Sequence, residues 1–199
     1  MKIGLTGNRY SGKDTVAKIF GKMHVPVFDA DVVFKFLVNH DLGIKDLMRT
    51  KFGESIYGLQ DDLFVPNKIK SDSDFNGMVE SVEFEMRKAY EKFRVKNKES
   101  LYTIFKSSIL FEAGWNVFMD YNISVFCPKR ERIDRAKLVT AMSLSKIGEM
   151  LKGEMDETVK NGLSDYVIHN YETGADFDTI EQVNNIDKKM VDKYLEKII

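Results

Sequence analysis

The chain has a single cysteine, Cys127, and only three prolines. One cysteine excludes an intramolecular disulfide framework, and its place in the apolar run Ile123-Ser124-Val125-Phe126-Cys127 marks it as a core residue. With so few prolines there is no Pro-rich linker, and no low-complexity segment or internal repeat is present. No apolar stretch reaches the length of a membrane span, and no signal peptide precedes the first apolar run, so the chain reads as cytoplasmic with no membrane partner. Charge of one sign is missing too. Thirty Lys and Arg against 31 Asp and Glu leave a net charge of −1, which removes the basic field that general nucleic-acid binding needs. What remains is 199 residues, 43% hydrophobic and 31% charged. That describes one globular domain, with or without insertions, large enough for a sizeable core.

The first fifteen residues carry the strongest signal. Ile3 to Leu5 is a short apolar run, and Val16, Ile19, Phe20 and Met23 then fall on one helical face. Between them, Gly7-Asn8-Arg9-Tyr10-Ser11-Gly12-Lys13 has the spacing of a phosphate-binding loop in its strand-to-helix setting. Glycines let backbone N–H groups close around an anion, the helix start adds partial positive charge, and Lys13 reaches the outer phosphates. The position after the lysine, normally a Ser or Thr that meets Mg²⁺, is Asp14, followed by Thr15. A carboxylate there is a candidate Mg²⁺ ligand, but it also sets negative charge beside the phosphates.

Val25-Pro26-Val27-Phe28 is a second strand candidate, ending in Asp29-Ala30-Asp31 and a helical face of Val32, Val33, Phe36 and Leu37. Carboxylates just past a strand end stand where open α/β sheets place their ligands. They also suit a helix N-cap, and spacing leaves both readings open. Ile44 to Phe52 reads as a helix, Asp61 to Pro66 as a turn with a short extended piece, and Phe75 to Lys98 as a long helix with a charged outer face. Leu101 to Phe105, Ile123 to Cys127 and Asp165 to His169 are further strands. Lys129 to Arg135 opens a basic helix, either solvated or presenting an arginine to phosphates. Met142 to Met155 reads as helical, and a terminal helix runs from Asp176. His24 and His169 have no Cys/His cluster beside them and read as structural, and His40 carries no signal of its own.

Five short apolar strands separated by helices predict an α/β fold with a parallel, helix-covered sheet, with strands near 2–6, 25–28, 101–105, 122–127 and 165–169. The core would comprise about 1–40, 100–129 and 164–199, with a helical substrate-binding insertion at about 41–99 and a lid at about 130–163.

The ordered landmarks resemble the dephospho-coenzyme A kinases. Ile3-Gly4-Leu5-Thr6-Gly7 with Ser11-Gly12-Lys13, then Thr15-Val16-Ala17, Val25 to Asp31, Lys51-Phe52-Gly53, Ile109 to Trp115, Val125 to Pro128 and Asp165 to Asn170 follow that family's series through nearly the whole chain. The resemblance implies a P-loop kinase of three α/β/α layers, with ATP and Mg²⁺ and small-molecule partners only. The γ-phosphate would pass to the 3′-hydroxyl of dephospho-CoA, the last step of coenzyme A biosynthesis. By the same resemblance Asp31 takes or positions the hydroxyl proton and Asp29 supports it. Lys13 and the loop Gly7, Asn8, Arg9, Tyr10, Ser11, Gly12, Asp14 and Thr15 hold the nucleotide. Arg135 lies near the phosphates, Asn170 near the adenine, and Phe111 and Glu112 near the acceptor. The chain departs from the family at Asp14, at Ser108 and in the lid, where Val139, Met150 and Glu154 replace residues common in relatives. Gly12-Lys13-Asp14-Thr15 also resembles the P-loop of bacteriophage deoxynucleoside monophosphate kinases. A nucleotide acceptor and a weakly catalytic nucleotide-binding protein are therefore the alternatives to test.

Overall fold

A computed structural model describes residues 1–69, 71–171 and 178–197. The chain forms two compact units, Met1–Phe28 with Asn97–Ile199, and Asp29–Lys96.

The first unit is built on a five-stranded parallel sheet. Its strands are β1 (Lys2–Thr6), β2 (Val27–Asp29, whose last residue opens the second unit), β3 (Thr103–Lys106), β4 (Tyr121–Phe126) and β5 (Tyr166–His169). Their order is β2-β3-β1-β4-β5. The first strand in sequence is thus the central one, with Leu5 opposite both Lys106 and Ile123. Ile3, Leu5, Ile104, Ile123 and Ile168 are fully buried, as expected where helices cover a parallel sheet. Helices α1 (Lys13–Lys22) and α8 (Thr179–Glu196) pack there, adding Val16, Phe20, Val183, Ile186 and Met190 to one core. The turns after β3 bring in a second group. Leu110 is fully buried, and Phe105 stacks on Phe28 at 5.4 Å and meets Trp115 edge-on at 5.5 Å.

The strands differ from their sequence limits in instructive ways. The second starts at Val27 because Pro26 has no N–H to give; its carbonyl still accepts from Ile104 N at 2.9 Å. The third runs on to Lys106, a charged residue that an apolar-run reading stops short of. Helix α5 (Lys129–Val139) follows Pro128 as expected. The helix expected over Met142–Met155 is only α6 (Leu144–Met150), capped by the Ser143 hydroxyl, and Gly153 follows it closely. A further six-residue helix, α7 (Glu157–Gly162), was not foreseen; the Asp156 carboxylate caps it by accepting from Thr158 N and Val159 N. Asp176, where the terminal helix was expected to start, lies outside the described residues.

The second unit is helical: α2 (Ala30–His40), α3 (Leu42–Phe52) and α4 (Asp72–Lys96). They pack on Val38, Ile44, Met48, Met78, Val82, Met86 and Tyr90, so the helical spacing read along α4 is its buried face. Asp41 caps α3, accepting from Ile44 N at 3.0 Å. Between α3 and α4, Tyr57 pairs with Phe64 in an isolated antiparallel bridge, and its hydroxyl donates to Val38 O at 2.9 Å.

Candidate active site

The loop from Gly7 to Gly12 joins β1 to α1. Two glycines are required by its geometry. Gly12 stands at φ 93°, the left-handed region, and a side chain there would also strike the Asn170 amide. A Cβ on Gly7 would meet the Val125 carbonyl at 2.8 Å and the Ser11 hydroxyl. Tyr10 is also left-handed, at φ 64°. The first N–H groups of α1 have no partner within the helix and stand beside Lys13, which is 7% exposed. The buried Ser11 Oγ and Asn8 Oδ1 have no hydrogen-bond partner. A closed backbone cradle with a buried ammonium and orphaned polar atoms is the arrangement that takes a polyphosphate.

Three side chains brace the loop from outside. Asn170, just after β5, donates its amide to Ser11 O at 2.7 Å and accepts from the Thr179 hydroxyl. Arg135, on α5, donates to Tyr10 O and Ser11 O at 3.2 Å and to Asn170 O at 2.8 Å. Both residues thus converge on the Ser11 carbonyl. Arg132, one turn earlier and 3% exposed, donates to Arg9 O at 3.0 Å and Glu154 at 2.7 Å, and pairs with Glu157. Glu154 also accepts from Arg9 N at 2.7 Å, Arg9 donates to Met150 O, and the Asn8 amide donates to Met155 O. The segment 150–157 is therefore stitched to the outer arc of the loop. Burial raises the Glu157 carboxyl above the usual range despite the Arg132 charge.

A family model described as dephospho-CoA kinase matches residues 1–176. The chain belongs to the dephospho-CoA kinase family. It is an ATP-dependent phosphotransferase with a P-loop kinase fold. A dephospho-CoA kinase of Coxiella burnetii is 29% identical over 190 residues, covering 87% of this chain and 89% of that protein. A dephospho-CoA kinase domain-containing protein of Danio rerio is 27% identical over 199 residues, covering 96% and 85%. Among solved structures, TT1252 of Thermus thermophilus superposes with TM-score 0.75 at 20% identity, covering 97% of each chain. A dephospho-CoA kinase of Campylobacter jejuni gives 0.62 at 16% identity, covering 96% and 98%. These two likenesses speak to the fold.

The other residues singled out in the sequence of this dephospho-CoA kinase family member fall as follows. Asp29 ends β2 and caps α2, accepting from Val32 N at 3.2 Å. Asp31 is half-buried in the first turn of α2. Phe111 is buried, and Glu112 pairs with Lys160 of α7 at 2.9 Å, a lysine that also donates to Ser108 O. The sequence reading missed Arg132, Lys160 and Lys106. Lys106 hydrogen-bonds Asp14. Burial alone would raise the Asp14 carboxyl, but the Lys106 hydrogen bond and the charges of Lys13, Lys106 and Lys18 outweigh it, so its pKa is lowered.

The residues present suit Mg²⁺. Among the described residues no group of three or more His, Cys, Asp or Glu side chains is placed to hold a metal. Asp14 and the Thr15 hydroxyl are exposed oxygen donors on the first turn of α1. One carboxylate with substrate phosphates and water is an ordinary Mg²⁺ environment. No helix among the described residues is long and apolar enough to cross a membrane.

Proposed function

We propose that the chain transfers the γ-phosphoryl group of ATP to the 3′-hydroxyl of dephospho-CoA. The observation that carries this reading is the braced P-loop with buried Lys13, in a chain whose family match runs through residues 1–176. ATP enters with its phosphates over the N-terminus of α1. The cradle's N–H groups and Lys13 neutralise the β- and γ-phosphates as charge develops on them. Asp14 and Thr15 would hold Mg²⁺, which supplies further charge neutralisation when bound. Arg135 and Asn170 keep the Ser11 carbonyl turned away from the phosphates, so the cradle offers donors rather than acceptors. Asn170 also borders the adenine end, and Phe111 and Glu112 border the acceptor. Asp31 accepts the proton of the 3′-hydroxyl as its oxygen bonds to the γ-phosphorus. The bond from that phosphorus to the β–γ bridging oxygen breaks, leaving ADP and CoA. Asp29 fixes the start of α2 on which Asp31 rides.

The test is ADP release with ATP and Mg²⁺ against dephospho-CoA and a panel of nucleoside monophosphates. Turnover with dephospho-CoA alone supports the reading. Turnover confined to nucleotides replaces it with a nucleoside monophosphate kinase, and ATP binding without turnover on any acceptor replaces it with a nucleotide-binding role.

A further inference from the structure

Lys106 ends β3 opposite Leu5 of β1, and the next N–H, of Ser107, donates to Leu5 O at 2.9 Å. All four residues of β3 are buried. An ammonium at the end of a buried parallel strand is costly unless an anion meets it. Asp14, brought in from the start of α1, is an anion that does so. The Lys13 ammonium lies 3.9 Å from the same oxygen, Oδ1. The two lysine side chains are 8% and 9% exposed and that of Asp14 is 70% exposed. One carboxylate therefore faces outward at the mouth of the phosphate cradle with two buried cations behind it. Both cations meet Oδ1, while Oδ2 has no hydrogen-bond partner among the described residues.

We propose that Lys106 is a positioning residue for Asp14. It holds Oδ1 so that Oδ2 faces the divalent cation accompanying the nucleotide, and it cancels the negative charge that this carboxylate would otherwise set against the phosphates. The identity of the ligand as metal–ATP rests on the reading above; the acceptor does not enter. The pair explains how the loop carries an aspartate where a neutral hydroxyl would bring no repulsion. Asp14 is a cation ligand whose charge is matched from the neighbouring strand.

The experiment measures ATP affinity by calorimetry without metal and with Mn²⁺, and bound Mn²⁺ by electron paramagnetic resonance, alongside Tm. Lys106→Met leaves Asp14 matched only by the more distant Lys13, so metal-free ATP binding weakens by about tenfold. Asp14→Asn removes the repulsion: metal-free ATP binds as tightly as in the parent or tighter, and the gain in affinity from Mn²⁺ falls by about tenfold. The double variant returns metal-free binding to within about threefold of the parent without restoring the Mn²⁺ gain, which is the non-additivity of a coupled pair. Lys106→Arg keeps both properties. Independent, additive losses overturn the proposal, as does metal-free binding in Lys106→Met within twofold of the parent. If Lys106→Met does not fold, the exposed Asp14→Asn decides by itself: a retained Mn²⁺ gain sinks the idea. No acceptor is present in these measurements, so a wrong acceptor assignment leaves them unaffected, and a parent chain whose ATP affinity ignores Mn²⁺ overturns this proposal alone.

Discussion

The two compact units handle charge in opposite ways. In the sheet unit, the most buried ionic pairs join residues far apart in sequence, and their carboxylates are sheltered. The side chains of Glu154, Glu157 and Glu112 are 13%, 18% and 17% exposed, each against a lysine or arginine at 3%. In the helical unit, Asp62, Glu80 and Glu91 are 55%, 69% and 58% exposed and pair with residues on the same or a nearby element. Sheltered pairs fix geometry, because losing one partner strands the other in a dry place, whereas exposed pairs contribute little. Asp14 differs from those three: it is paired to two buried lysines, yet exposed.

The comparison can be broken at several points. The largest effect is expected where the helical unit carries chemistry. Asp31→Asn should lower kcat by about 10²–10⁴ with Tm and ATP affinity nearly unchanged; loss of ATP binding would remove Asp31 from the proposed role. Next is Arg132→Met, which leaves Glu154 and Glu157 unmatched. A loss of about 3–5 kcal/mol is expected, read as a fall in Tm of at least about 6 °C, and Glu157→Gln in the same chain should return part of it. A Tm within 2 °C of the parent would mean that the cluster is not structural.

Tyr57 tests the other unit. It is buried, its hydroxyl donates to Val38 O, and its pKa is pushed up to about 12 by burial, which outweighs the nearby Arg49 charge. The folded pKa lies above the unfolded value of about 10, so this contribution is complete below pH about 10 and is lost as pH rises toward 12. Alkaline unfolding should steepen across that window by about 2–3 kcal/mol, and Tyr57→Phe should flatten it. The smallest effect is Arg94→Ala, which breaks the exposed pair with Glu91 on α4. A change within about 0.5 kcal/mol is expected; a larger one would erase the contrast between the units.

Much of this molecule was legible in its residues. The order of apolar runs foretold the parallel sheet, and Gly7 to Lys13 foretold the phosphate cradle with its strand and helix. The readings failed where spacing carries no information. Arg132 of α5 pairs with Glu154 and Glu157 beyond the next helix, and Lys160 meets Glu112 from a six-residue helix whose only local sign is Asp156. Lys106 escaped notice because a charge at the end of an apolar run looks like the end of the strand. Asp29, open in sequence between cap and chemistry, does cap α2.

The strand order also bears on how the chain is made. The central strand, β1, is synthesised before β2, yet the strands flanking it are β3 and β4. At ribosomal rates Phe126 follows Thr6 by about 6–24 s. Until β3 is complete, about 5–20 s after Thr6, Ile3 and Leu5 have neither flanking strand to lie against. The contiguous segment Asp29–Lys96 is by contrast complete before β3 begins, and can fold while the phosphate loop still waits for its walls. The phosphate loop is thus made before the strands that wall it in, and is among the last parts of the chain to take its final form.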